Sequence, residues 1–389
     1  MAAEALLELR KFVAPEFVFG PGALALAGQY ARNLGARRPL VVTDPGVRDA
    51  GWTEQVLASI REHGLSAAVF DQVTPNPRDQ EVMAGAQAYQ AEGCDAIVAV
   101  GGGSPMDCAK GIGIVSSNDR HVLTFEGVDN VETPGPPLIC VPTTAGSSAD
   151  VSQFAIINDT TRRVKIAIVS KTMVPDVSLT DPAATVTMDR DLTANTGLDA
   201  LTHAIEAYVS NAHSPVSDLF ALEAVRRISA NLPAALETPG DLSARAGMML
   251  GSMYAGLAFS NAILGAVHAM AHSLGGLKDL PHGLCNAILL DHVVDFNFAA
   301  APNRYAAVAR ALGGRVPEDA PLEERKSATL AALRDFRRRA GVEQGLADLG
   351  VDRQELAALA EFAAADPCMA TNPREPSCED IVGIYEKAL

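Results

Sequence analysis

The sequence predicts an α/β N-terminal domain, built on a Rossmann-like parallel sheet with an added β-hairpin, followed by an all-helical C-terminal domain. Three observations carry this. Short β-rich runs alternate with helical stretches through the first half. Strand signals nearly vanish from Asp189 onward, where alanine- and leucine-rich amphipathic segments take over. Proline punctuation at Val174-Pro175-Asp176 and Asp181-Pro182 marks the crossover, and places the domains at residues 1–187 and 188–389.

Taken in order, the β-rich runs are Pro39–Thr43, Ala67–Phe70, Ala96–Val100 and Leu138–Val141. Helical stretches Thr53–His63 and Asp79–Ala91 lie between them. Strand and helix alternating at this length favour a parallel sheet with covering helices. Two further β-like runs, Gln153–Ile157 and Val164–Val169, flank the turn-forming cluster Asn158-Asp159-Thr160-Thr161, which reads as a hairpin. In the second half, Thr193–Ser210, Pro215–Ala230, Ser243–Leu264 and Glu355–Ala364 read as amphipathic helices. There is no internal repeat and no low-complexity tail.

The chain has 389 residues, enough for two well-buried cores. Its net charge of −16 argues against nucleic acid and against an anionic membrane surface as partners. Residues 1–11 are charged too early for a signal-peptide core, and no apolar run reaches the length of a membrane span. The expected location is therefore the cytoplasm. The six cysteines are scattered without a two-residue gap, so they read as free thiols in a reducing compartment. Cys285 follows His282 by three residues and could line a pocket, although a small buried apolar residue is the plainer reading.

A nucleotide-binding constellation stands out in the first half. The strand Ala96–Val100 runs into Gly101-Gly102-Gly103-Ser104-Pro105-Met106-Asp107. Glycine lets backbone approach a phosphate, and a helix opening at Ser104-Pro105 offers free N–H groups and the positive end of its dipole. This suits a dinucleotide pyrophosphate, with a tight strand-to-helix turn as the rival. Val41-Val42-Thr43-Asp44 is a strand ending in an acid. Asp44 can accept from both ribose hydroxyls and would repel a 2′-phosphate, which points to NAD over NADP. Its rival role is to open a turn before Pro45-Gly46. Pro142–Ser148 follows another strand and offers the hydroxyls of Thr143, Thr144, Ser147 and Ser148 to a phosphate or to the nicotinamide amide.

Two pairs with i, i+4 spacing carry the chemistry of the second half. Asp199 and His203 share one helix face, and His268 and His272 share another. His282 follows a Leu280-Pro281 turn at a helix start. One carboxylate and three imidazoles suit Fe²⁺, Zn²⁺, Co²⁺, Mn²⁺ or Ni²⁺. If Asp199, His203, His268 and His282 bind, His272 is left one turn from His268, better placed as a proton carrier than as a ligand. Spacing alone leaves the roles of His268 and His272 interchangeable.

With these stretches quoted, the chain resembles the iron-dependent (group III) alcohol dehydrogenases over essentially its whole length, as a divergent subgroup. The likeness rests on 101–107, Pro142–Gly146, Thr196–Tyr208, His268–Gly276, Pro281-His282-Gly283 and Thr371-Asn372-Pro373-Arg374. It implies a dehydroquinate synthase-like architecture with the active site in the cleft between the domains. It implies that Asp199, His203, His268 and His282 are the metal ligands, with Fe²⁺ as the family metal, and that His272 is catalytic. It also implies NAD contacts at Asp44, Gly101, Gly102, Gly103, Ser104, Asp107, Thr143, Thr144, Ser147 and Lys165. Family members commonly form homodimers or larger assemblies. Three departures stand out: Ser148 where the family loop has glycine, Asp291 where proline is common, and Cys285 where alanine is usual.

The expected function is NAD-dependent, metal-dependent interconversion of a primary alcohol and its aldehyde. A second reading keeps fold, metal and nucleotide but assigns a weakly catalytic sensor or regulatory role, motivated by the 147–150 loop and Asp291. A third is a non-redox metal enzyme on the related synthase-like fold. The intact ligand set and the group III motifs favour the first.

Overall fold

The computed structural model describes residues 9–389, so the N-terminal stretch read for a leader lies largely outside the described residues. The chain divides into two compact units, Val13–Met188 and Asp189–Leu389, the second joined by residues 9–12.

The first unit contains β1 (Glu16–Phe19), α1 (Ala27–Asn33), β2 (Pro39–Val42), α2 (Pro45–Asp49), α3 (Trp52–Glu62), β3 (Ala68–Phe70) and α4 (Asp79–Ala91). It continues with β4 (Ala96–Gly101), α5 (Gly103–Asn118), β5 (Gly127–Val128), β6 (Leu138–Pro142), β7 (Phe154–Asp159), β8 (Val164–Val169) and β9 (Val177–Thr180). Six strands form a parallel sheet in the order β1-β9-β6-β4-β2-β3. Val98 lies beside Val41 on one side and Ile139 on the other.

Successive side chains in a strand face opposite ways. Leu40, Val42, Ile97, Ala99, Leu138 and Cys140 enter one core with Val82 of α4 and Ile112 of α5. Val41, Val98, Val100, Ile139 and Val141 enter a second core with Ala31 of α1 and Ile60 of α3. Burial on both faces explains why these strands read as unbroken apolar runs.

The expected hairpin is present. β7 and β8 pair antiparallel from Phe154–Val169 to Asp159–Val164, and β5 adds in parallel to β8. The sequence reading passed over β1 and β9. β1 is a largely exposed edge strand. β9 places Val177 and Leu179 in the core but alternates them with Ser178 and Thr180, whose hydroxyls bond each other and Asp150.

The second unit contains α6 (Arg190–Val209), α7 (Pro215–Glu237), α8 (Leu242–Ala262), α9 (Ala266–Lys278) and α10 (His282–Asn297). After these come α11 (Pro302–Ala311), α12 (Leu322–Arg339), α13 (Leu356–Ala365) and α14 (Cys378–Ala388), with no strand among the described residues. Side chains of Asp189, Ser214 and Asp241 cap α6, α7 and α8. α8 ends at Ile263, whose φ of +61° turns the chain sharply into α9. No single described helix is long and apolar enough to cross a membrane.

Candidate metal centre and nucleotide loops

In the α/β unit, β3 lies beyond β2 while β4, β6, β9 and β1 extend the other way. In open α/β sheets, ligands bind past the strand ends at such a reversal. Asp44 lies two residues past the end of β2, and the glycine turn ends β4. Asp44 also performs its rival role, since its Oδ1 accepts from Val47 N at 2.9 Å and caps α2. Burial pushes its carboxyl above the usual range.

The glycines are required by what faces them. A Cβ on Gly103 would stand 2.9 Å from the Ser147 Cβ, and one on Gly102 would stand 3.0 Å from Thr144 Cγ2. The 143–148 loop therefore lies directly against the turn that opens α5. Thr143 N donates to Gly101 O at 2.9 Å and fixes that approach. The structure thus brings Gly101, Gly102, Gly103, Thr143, Thr144 and Ser147 together, with Ser104 in the first turn of α5.

Asp107 and Lys165 are instead engaged with the hairpin region. Asp107 accepts from Ile156 N at 3.2 Å, and burial pushes its carboxyl up to about 6 despite Lys110 and Lys165 nearby. Lys165 Nζ donates to Asn76 Oδ1 at 2.7 Å. Ser148 holds φ at +51°, so the loop keeps a glycine-like backbone with a serine in it.

In the helical unit, α6 presents Asp199 and His203, α9 presents His268, and His282 is the first residue of α10. Gly283 permits the close approach of α10 to α6. A Cβ there would lie 2.4 Å from Asn195 O and 3.2 Å from Asp199 Cβ. Nε2 of His268 and Nε2 of His282 each stand 3.8 Å from Asp199 Oδ1, and donor atoms of all three residues fall within 4.8 Å of one another. Donors about 2.1 Å from one tetrahedral ion stand about 3.4 Å apart, so this spacing fits a common cation. His203 joins through its ring, stacked on His268 and on Phe259 with centroids 4.4 Å away in each case.

Two polar side chains without an assigned role in the sequence, Glu206 and Asn286, hold this set, and a third, Asp366, holds His272. Glu206 lies on the same face of α6, seven residues after Asp199. Its Oε2 meets His268 Nδ1 at 2.6 Å, and its carboxylate also accepts from the N–H groups of Gly265, Val267 and His268. It therefore satisfies the open N-terminus of α9 and orients the imidazole in one stroke. With Nδ1–H given to Glu206, Nε2 is the ring nitrogen of His268 that faces Asp199. Asn286 is fully buried. Its Nδ2 lies 2.7 Å from Asp199 Oδ1, 3.1 Å from His268 Nε2 and 3.2 Å from His282 Nε2. Asp199 Oδ1 and the two imidazole nitrogens thus gather around one buried point. Asp366, 94 residues from His272, accepts from His272 Nδ1 at 2.8 Å.

Charge follows the same pattern. Burial pushes the Asp199 carboxyl up, but the surrounding His203, His268 and His282 hold it well below the usual range. Burial pushes His268 down, but Asp199 and Glu206 outweigh it and raise it to about 9. A divalent cation would take the place of that proton. One carboxylate with imidazoles suits Fe²⁺, Zn²⁺ and their neighbours, so these residues fit a resident divalent metal.

The departures noted in the sequence have structural roles. Asp291 is buried and ion-paired to Arg334 Nε at 2.6 Å and Arg337 Nη1 at 3.1 Å, which ties α10 to α12. Cys285 is fully buried as a small apolar residue.

Comparison with known proteins agrees across both units. Residues 14–182 match the iron-containing alcohol dehydrogenase family, and residues 193–389 match the C-terminal part of the Fe-containing alcohol dehydrogenase family. The chain is 41% identical over 373 residues to the 1,3-propanediol dehydrogenase of Klebsiella pneumoniae, covering 95% of this chain and 96% of that protein. It is 38% identical over 380 residues to the NAD-dependent methanol dehydrogenase of Bacillus methanolicus, covering 97% and 99%. A crystal structure of a 1,3-propanediol oxidoreductase superposes with a TM-score of 0.95 at 39% identity, covering 98% of this chain and all of that one.

Proposed function

The chain belongs to the iron-containing alcohol dehydrogenase family, and from that premise we propose that it interconverts a primary alcohol and its aldehyde with NAD. The observation that carries the proposal is the convergence of Asp199, His268 and His282 donors around one buried point, with His203 stacked beside them. Relatives named for 1,3-propanediol and for methanol support a primary alcohol as substrate and NAD as hydride acceptor.

Asp199, His203, His268 and His282 would hold the metal. When bound, a divalent cation supplies a positive charge that lowers the pKa of an alcohol hydroxyl beside it, and NAD supplies the acceptor for hydride. Glu206 keeps the Nε2 lone pair of His268 turned toward the site. Asn286 holds Asp199 in place through its 2.7 Å bond. His272, one turn along α9, takes the hydroxyl proton as hydride leaves the alcohol carbon. Gly101, Gly102, Gly103 and Ser104 would receive the pyrophosphate at the start of α5, with Thr143, Thr144 and Ser147 on the facing loop. Asp44 would accept from the adenosine ribose hydroxyls.

The weakly catalytic alternative rested on the 147–150 loop and on Asp291. Asp150 accepts from Ser178 within the sheet, and Asp291 clamps two helices, so neither requires a lost activity. The test is NADH formation by metal-replete protein against a panel of short- to medium-chain alcohols. Turnover with primary alcohols is expected, and none with any of them would refute the proposal.

A further inference from the structure

Resting on His272 as the proton carrier, we propose that Asp366 is a positioning residue for the reaction, fixing both the tautomer and the plane of the His272 ring. Both side chains are buried, each with 6% of its surface exposed. Asp366 Oδ2 meets His272 Nδ1 at 2.8 Å, while Oδ1 accepts from Cys368 N at 2.8 Å and caps the short helix Pro367–Thr371. Each carboxylate oxygen therefore has its own donor, and the group cannot swing without losing one.

The segment that presents Asp366 is itself tied to the start of α9, which carries His272. Thr371 Oγ1 donates to Leu264 O at 2.5 Å, and Asn372 Oδ1 accepts from Ala266 N at 3.1 Å. Asn372 is further locked by its bonds with Asn297. Carboxylate and imidazole thus belong to one hydrogen-bonded frame, although Asp366 and His272 are far apart in sequence.

The chemistry follows from the donor inventory. An ionised carboxylate only accepts, so His272 Nδ1 must carry the hydrogen, and in the neutral ring the lone pair is then on Nε2. That ring stacks on His282 with centroids 5.2 Å apart and meets His268 edge-on at 6.1 Å, so it is packed against the candidate ligands. In alcohol oxidation the substrate O–H bond breaks and an Nε2–H bond forms. The electron pair of the substrate C–H bond leaves as hydride to the nicotinamide of NAD, and the carbonyl double bond forms. The imidazolium so created faces the Asp366 carboxylate through Nδ1–H, which stabilises it as it forms.

The experiment uses zinc-reconstituted full-length protein carrying ¹⁵N-labelled histidine, with His272→Gln to assign the His272 resonances. The wild type should show the Nδ1–H tautomer at His272, and the Nε2–H tautomer would overturn the proposal whatever any variant does. Asp366→Asn should keep its zinc, shift the His272 resonances, and lower kcat by about 10²-fold while KM for the alcohol moves by less than about threefold. In a His272→Gln background, Asp366→Asn should cost nothing further, because the effect runs through His272. A full additional loss in that background would overturn the link. Shifted resonances with undiminished kcat would uphold the Asp366–His272 link and refute His272 as the proton carrier instead.

Discussion

The two units furnish their sites from different material. In the α/β unit the candidate nucleotide site is mostly backbone: the ends of β2 and β4, three successive glycines, and a loop lying against them. In the helical unit the candidate metal site is mostly side chain. Asp199, His203, His268 and His282 come from three helices, Glu206 and Asn286 hold members of that set from behind, and Asp366 orients the neighbouring His272. A backbone site depends on the absence of atoms, so it should resist most side-chain truncations and fail when a Cβ is added. A side-chain site depends on buried, mutually satisfied polar groups, so single truncations there should be severe.

That contrast can be broken or sharpened by mutation. The largest effect is expected at the metal set. Asp199→Ala should lower kcat/KM by at least about 10³-fold, since a catalytic cation contributes several kcal/mol. Turnover within about tenfold of wild type in steady-state assays would count against the assignment. Next, Glu206→Gln should weaken Zn²⁺ or Co²⁺ affinity by about 10–100-fold, because a neutral amide orients His268 less firmly. Titration against a competing chelator measures this directly.

Adding a Cβ at Gly103, against Ser147, should raise KM for NAD about tenfold or more, with overpacking costing about 1–3 kcal/mol. If Gly103→Ala left KM unchanged, the backbone account of the nucleotide site would fail. A smaller change is expected for Asp44→Ala, which should narrow the preference for NAD⁺ over NADP⁺ and cost about 1 kcal/mol of stability through the lost cap. The smallest is Ser148→Gly, which should raise stability by about 1 kcal/mol in thermal melts by relieving the left-handed backbone.

Much of this could be read from the residues because the informative patterns are local. β2, β4 and β6 are covered on both faces, so they appear as apolar runs. The i, i+4 pairs at Asp199–His203 and His268–His272 place side chains on one helix face by geometry alone. Glu206 extended that same face and was legible in principle, but its target, the N-terminus of α9, is a tertiary fact. Asp366 had no local signal of its role. Asp366-Pro367 announces a helix cap, and only the folded chain brings that cap to His272. β9 was hidden because its alternate residues are hydroxyls serving a buried network.

Metal analysis of reconstituted wild type against His268→Ala bears most directly on the whole account. Elemental quantification after removal of loosely bound ions should find one divalent cation per wild-type chain and a large deficit in the variant. Equal metal content in the two proteins would contradict it.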